Sequence, residues 1–181
     1  MIELLRNRRS IRKYSGEAVA AGSIKLLVEA LLRAPSSRNI NPWEFIIVDD
    51  RQLLHQLAAA KQHGSAFLQD AALGIVVCAD STQSDVWIED CAIAAILAQL
   101  TAQSLGLGSC WIQIRNRSHG DGTSSETFIQ GLLGLPDHIK VECIISIGLP
   151  GEKRQGLAAA RLQFDKVRHN RYADRWLPAA D

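Results

Sequence analysis

Residues 86–105 form a predicted helix that is apolar on nearly every side, and no other stretch restricts the fold as much. Ile88, Cys91, Ala92, Ile93, Ala95, Ile96, Leu97 and Leu100 spread around its circumference rather than along one stripe. Such a helix is stable only inside a core, with other elements covering most of its surface. Glu89, Asp90, Gln99 and Gln103 interrupt the run, so it does not read as a membrane span. The chain also lacks a basic start followed by an apolar run and a small-residue cleavage site, and a cytoplasmic location is expected. With 181 residues and 47% apolar content, a single domain over 1–181 with one substantial core is expected.

The rest of the chain supplies the covering elements. Ile2 and Leu5 share a face of a short helix over 2–8, and Ser23 reads as the N-cap of a helix carrying Ile24, Leu27, Val28, Leu31 and Leu32. "APSSRNINPW" (34–43) is rich in turn-forming residues and leads into a strand, "EFIIVD" (44–49). A helix over 51–61 and a strand "LGIVVCA" (73–79) follow, and Gly106 stops the long helix. "SCWIQI" (109–114) is a third strand, Thr123 and Glu126 match a capping box for a helix through Leu133, and "VECIISIG" (141–148) is a fourth strand. Few, short strands separated by helices predict a small sheet with helices on both faces; periodicity alone does not say whether they pair parallel or antiparallel. Residues 151–181 are basic and weakly periodic, a tail expected to wrap over the body or over a partner chain.

Twenty basic and nineteen acidic residues leave a formal charge of +1, so there is no global field to draw the protein to nucleic acid or an anionic membrane. Against that balance, "RNRRSIRKY" (6–14) gathers five cations around one serine. Four are arginines, whose planar fork grips phosphate oxygens in pairs, and Ser10 adds a short hydroxyl donor. Tyr14 and Ser15 end the run, without the further charge and interleaved aromatics of a nucleic-acid arm. A single phosphate is therefore the better anionic partner than a polymer; a solvated helix end is the plain alternative. Cys78, Cys91, Cys110 and Cys143 each sit in an apolar run without a CxxC pair, as small core residues of a reducing compartment. His55, His63, His119, His138 and His169 show neither HExxH nor His-x-His spacing, so no metal is expected.

Gly106-x-Gly108 is a fragment of a dinucleotide fingerprint with the wrong neighbours, since a helix precedes it and a strand follows. It reads as a helix stop and tight turn that aims the backbone of Ser109 to Ile112. In "APSSRNINPW", Ser36, Ser37, Asn39 and Asn41 offer donors and acceptors on a backbone stiffened by Pro35 and Pro42, which suits the edge of a flat heteroaromatic. A plain helix-to-strand linker is the other reading. "RNRSHGDGTSSE" (115–126) is polar and turn-rich, with His119 and Asp121 the side chains to weigh for substrate contact.

Four motifs in order resemble the nitroreductase family of flavin enzymes: Arg8-Arg9-Ser10-x-Arg12-x-Tyr14, Ala34-Pro35-Ser36-Ser37-x-Asn39-x-Asn41-Pro42-Trp43, Gly106 to Ile112, and Ile147-Gly148-Leu149-Pro150. The resemblance implies an α+β fold around a mixed sheet flanked by helices, forming a homodimer with two FMN molecules at the subunit interface and the tail extending onto the partner. It implies that Arg8, Arg9, Ser10 and Arg12 hold FMN, that Pro35, Ser36, Ser37, Asn39 and Asn41 reach it from the other subunit, that Trp111, Ile112 and Gln113 lie along the ring, and that Arg161 returns to the phosphate. The implied activity is ping-pong transfer of hydride from NADH or NADPH to an electron-poor acceptor such as a nitroaromatic or quinone, with no catalytic side chain. Two departures stand out. Asn41 replaces the usual glutamine, and no lysine lies between Gly64 and Gly74, where many larger members carry one facing the flavin. They keep open a second reading, an FMN-binding module for storage, sensing or delivery without rapid turnover.

Overall fold

The computed structural model describes residues 1–176. Short helix α1 (Ile2–Asn7) leads through an extended segment to α2 (Ala21–Leu32), followed by strand β1 (Trp43–Val48), α3 (Arg51–Ala58) and β2 (Leu73–Asp80). The apolar helix is α4 (Trp87–Ser104); after it come β3 (Gly108–Gln113), α5 (Ser125–Leu133) and β4 (Ile139–Gly148). The last five residues of the tail lie outside the described residues.

The strands lie in the order β1-β2-β4-β3, and every neighbouring pair is antiparallel. The expected mixed sheet is therefore antiparallel within its strands, and its one parallel pairing is an isolated bridge between Ser10 and Ser109. The connections explain this. The short α3 returns the chain to the end of the sheet it left, reversing β2 against β1. The 18-residue α4 runs back the length of the sheet, so β2 and β3 point the same way, and β4 slots between them in the opposite direction.

Period-two alternation divides the core into two layers. Ile75, Val77, Cys143, Ile145 and Ile147 face α2 and α4; Val76, Cys78, Ile112 and Ile144 face α3 and α5. The α4 surface against the sheet is Cys91, Ala94, Ala95, Ala98 and Ala102, small side chains that let the helix sit close and lose almost no rotamer freedom. Leu27 and Leu31 of α2, both fully buried, pack into the same layer at about 1.5–3 kcal/mol each. The covering is incomplete: Ile93 and Ile96 of α4 remain 39% and 38% exposed, and Leu26 and Leu32 of α2 are exposed too.

Two predicted caps shift. Helix α2 starts at Ala21 after Ala20, with Ser23 inside its first turn, because buried Val19 already carries the chain onto the core. Helix α5 is capped by Ser124, whose Oγ accepts the Thr127 N–H at 2.9 Å. Thr123 bonds Asp121 instead, and Glu126 turns to the Val141 N–H and Lys140. A register shift between Val77 and Cys78 leaves Glu142 unpaired on β4, a β-bulge. Beyond Pro150 the tail crosses α1 with Gly156 against the Arg6 carbonyl, then forms a small hairpin of β5 (Arg168–His169) and β6 (Arg171–Arg175).

Candidate functional site

The cation cluster lies along the outer edge of β3. Ser10 bridges Ser109, and the Ile11 N–H donates to the Ser109 carbonyl at 3.0 Å. Gly108 permits this approach, since a Cβ there would come within 2.8 Å of the Ile11 side chain. Tyr14 ties down the far end: its hydroxyl donates to the Ile11 carbonyl at 2.8 Å and shares a 2.7 Å hydrogen bond with the Ser146 hydroxyl. The Arg12 N–H donates to Glu152 Oε1 at 2.8 Å, while the Arg12 guanidinium sits 5.7 Å from the Phe67 ring centroid.

What these contacts leave free is the charge. Arg6 pairs with Glu3 on the surface of α1, as plain surface charge would. Among the described residues the guanidinium groups of Arg8, Arg9 and Arg12 have no carboxylate partner, and Arg9 Nε is buried with no hydrogen-bond acceptor. A buried donor without an acceptor is costly, and an anion is the group that would satisfy it. Residues fit for a phosphate are therefore present.

The strand edge adds a second kind of contact. The outward-facing Ser109 carbonyl implies, by alternation, that the peptide groups of Trp111 and Gln113 also face outward. Their side chains are engaged elsewhere: Trp111 Nε1 donates to Gln113 Oε1 at 2.9 Å, and Gln113 Nε2 donates to Glu142 Oε1 at 3.2 Å. The outward backbone of these two is open to a ligand. Ile112 is buried in the core layer under α3 and α5, with its peptide groups turned toward β4. Segment 64–74 carries no lysine, and the side chain under Arg12 is Phe67; the preceding Lys61 has its pKa lowered by burial and by the neighbouring charge of Arg117.

The loop of the second motif is strongly shaped. Arg38, Asn39 and Asn41 all have left-handed φ, between 52° and 55°. Ser36 Oγ donates to Asn41 Oδ1 and accepts the Asn41 N–H, each at 2.8 Å. Asn41 is thereby locked within its own loop, with only its amide NH₂ left for a ligand. The Ser37 N–H donates to Asp90 Oδ1 at 2.8 Å, and Arg38 pairs with Asp85 at 2.9 Å. Pro35 and Asn39 are exposed.

The structure does not bring the two motifs together within one chain. The loop 36–41 rests on Asp90 at the start of α4, whereas Ser109, beside the cation cluster, receives a hydrogen bond from Gln99 farther along the helix. Asp90 and Gln99 lie nine residues apart on α4, about 14 Å along its axis, and Arg9 lines a cavity with Gln103 and Gly106 farther on, so the two clusters lie toward opposite ends of one rod. Arg161, in a turn of the tail near α1, is exposed and makes no side-chain hydrogen bond among the described residues. Asp90, Glu152 and Phe67 were missed from sequence; only Asp90 left a signal, as a carboxylate in an otherwise apolar helix.

The cysteines are poorly suited to act as nucleophiles. All four thiols are buried and their pKa values are raised, that of Cys78 to about 12. For Cys110, burial outweighs the opposing pull of nearby Arg12, Ser10 and Arg8. His119 stacks on Phe128 with ring centroids 4.2 Å apart, and Asp121 caps its own turn through Thr123, so both serve the loop.

Comparison with known proteins converges on one family. The Nitroreductase family profile matches residues 5–63 and 51–149. An FMN-dependent nitroreductase from Clostridium difficile R20291 is similar in structure, with TM-score 0.93 and 44% identity over 95% of this chain and 100% of that one. A protein of Archaeoglobus fulgidus, provisionally named NADH dehydrogenase/NAD(P)H nitroreductase, is 33% identical over 94% of this chain and 98% of its own length. An NADPH-dependent oxidoreductase of Staphylococcus aureus is 25% identical over 93% of this chain and 72% of its own. No helix among the described residues is long and apolar enough to cross a membrane.

Proposed function

This chain belongs to the nitroreductase family, and from that membership we propose that it is an FMN-dependent oxidoreductase passing electrons from NADH or NADPH to a nitroaromatic, quinone or similar electron-poor acceptor. The observation that carries the reading is the set of guanidinium groups with no carboxylate partner among the described residues, Arg8, Arg9 and Arg12, with Arg9 Nε buried and unsatisfied, beside the open peptide edge of β3. Arginine and Ser10 suit the phosphate end of FMN, and the outward peptide groups of Trp111 and Gln113 suit the polar edge of its ring. FMN, once bound by these residues, would supply the hydride chemistry linking nicotinamide and acceptor, as a ping-pong sequence requires. Arg8, Arg9 and Arg12 would balance the cofactor's negative charge, and the outward peptide groups of β3 would hold it in place.

The site is completed by a second copy of the chain. A two-fold axis across α4 would set the loop 35–41 of one copy, with Pro35, Ser36, Ser37, Asn39 and the free amide of Asn41, against the cation cluster of the other. Ile93 and Ile96, exposed on that helix, supply the apolar contact such a dimer needs. The tail, whose Leu157, Leu162, Phe164 and Trp176 are exposed, extends onto the partner and brings Arg161 to the phosphate. The protein acts as one domain in the cytoplasm.

The second reading, an FMN carrier or sensor without rapid turnover, is favoured by two observations: Phe67 rather than a lysine under Arg12, and Asn41 held by Ser36. One experiment separates them. The protein is expected to bind FMN, lose its yellow colour rapidly with NADH or NADPH under anaerobic conditions, and regain it with a nitro compound or quinone. A protein that stays colourless with FMN rules out both readings; bound flavin that NADH and NADPH reduce only slowly supports the carrier.

A further inference from the structure

Asp90 is a carboxylate in the first turn of α4, only 3% exposed, on a helix surface otherwise built of Cys91, Ala94, Ala95 and Ala98. One oxygen accepts the Ser37 N–H at 2.8 Å; the other is buried without a partner among the described residues. A half-satisfied buried carboxylate is a poor choice for stability alone. Its contact is to the one loop with three left-handed non-glycine residues between positions 38 and 41. Such a backbone persists only where its surroundings over-determine it. The other ties are the Ser36–Asn41 bonds, internal to the loop, and the exposed Arg38–Asp85 pair, a type that contributes little.

We propose that Asp90 is a positioning residue: from the buried start of α4 it holds the Ser37 peptide N–H, and so sets the loop 36–41 in the shape it presents to the cofactor bound by the neighbouring copy. The functional consequence rests on the FMN-binding reading above; the contact itself does not. Asp90 thus acts on a site at which its own chain contributes only the loop, and its loss is felt at the partner's phosphate cluster.

The test compares Asp90→Asn, Asp90→Ala, Ser37→Pro and the double variant Asp90→Ala/Ser37→Pro, with FMN affinity read by quenching of flavin fluorescence. Asparagine keeps an acceptor for the Ser37 N–H, so affinity is expected within about threefold of wild type, whereas alanine raises the FMN Kd by about tenfold or more. Proline at 37 removes the N–H, is suited to the first position of a helical turn, and is expected to weaken FMN on its own. Adding Asp90→Ala to it is then expected to change nothing further. Equal losses for asparagine and alanine would mean that charge at the helix start matters rather than the acceptor, and would overturn the proposal. So would full affinity in Asp90→Ala, or additive losses in the double variant. If Asp90→Ala does not fold, Asp90→Asn against Ser37→Pro still decides. Hydrogen exchange of the Ser37 amide in flavin-free protein gives a separate readout, expected slow in wild type and Asp90→Asn and fast in Asp90→Ala. If wild type binds no FMN, the functional reading fails, while unchanged protection in Asp90→Ala would overturn the Asp90 contact independently.

Discussion

At the scale of residues, the decisive property is which charged groups the fold leaves without partners. The cluster 6–14 divides by neighbourhood: Arg6 has Glu3, whereas Arg9 Nε is buried with nothing to donate to. Removing a charge-bearing or hydroxyl donor from the cluster, as in Arg12→Ala or Ser10→Ala, is expected to weaken FMN binding by roughly 1–3 kcal/mol, measured by flavin titration, with the proposed dimer intact. Glu142 is the opposite case, a carboxylate looped out at the bulge with one buried unpartnered oxygen. Burial raises its pKa, and the hydrogen bond from Gln113 pulls less strongly the other way. A raised carboxyl favours folding only while protonated, so its contribution is full below the ordinary carboxylate range and is lost as pH rises through the folded value. Glu142→Gln, which stays neutral and retains an acceptor for Gln113, is therefore expected to match wild type near pH 3 and to exceed its stability near pH 7, read from urea midpoints. The arginines were legible because their type and spacing are local; the isolation of Glu142 was not, because a bulge is created only when β4 meets β2.

At the scale of elements, two glycines in one turn carry different duties. Gly106 ends α4 with φ +74° and open space around its Cα, so only backbone conformation resists a side chain there. Gly108 is required by contact, lying against Ile11 in the segment that carries the arginines. Gly108→Ala is expected to lose about 1–3 kcal/mol of stability by overpacking and to weaken FMN as the segment is pushed off β3. Gly106→Ala is expected to lose about 1 kcal/mol with FMN affinity unchanged. Thermal melts and flavin titrations on both variants check the contrast. The motif "LGLGSC" was read correctly as a helix stop and turn, but the contact that requires its second glycine comes from a segment about a hundred residues earlier in the chain. The shifted caps at Ala20 and Ser124 have a similar origin, since burial of Val19 in the core and the hydrogen bond from the Val141 N–H of β4 to Glu126 overrode the local preference.

At the scale of the whole molecule, α4 is both the spine of the core and the ruler that separates the two halves of the proposed site. Its buried face is small and its outer face is still apolar, which fits a helix meant to be covered twice, once by the sheet and once by another copy. If the proposed dimer forms, Ile96→Glu, alone or with Ile93→Glu, is expected to convert it to monomer in sedimentation velocity and to abolish FMN binding in the same step, with far-UV circular dichroism retained. Loss of the dimer with full FMN affinity would show that one chain suffices. The chain by itself determined the helices and strands as far as Gly148 to within a few residues, though not the β5–β6 hairpin of the tail, together with the demand for a helix in the core and the residues able to meet a phosphate, because periodicity and donor chemistry are properties of short segments. Tertiary structure alone decided the β1-β2-β4-β3 order, the locking of Asn41 by its own loop, the tie from Asp90 to Ser37, and the placement of the two motifs at opposite ends of α4. Each of those depends on which distant surfaces pack together, and no local window of sequence contains that information.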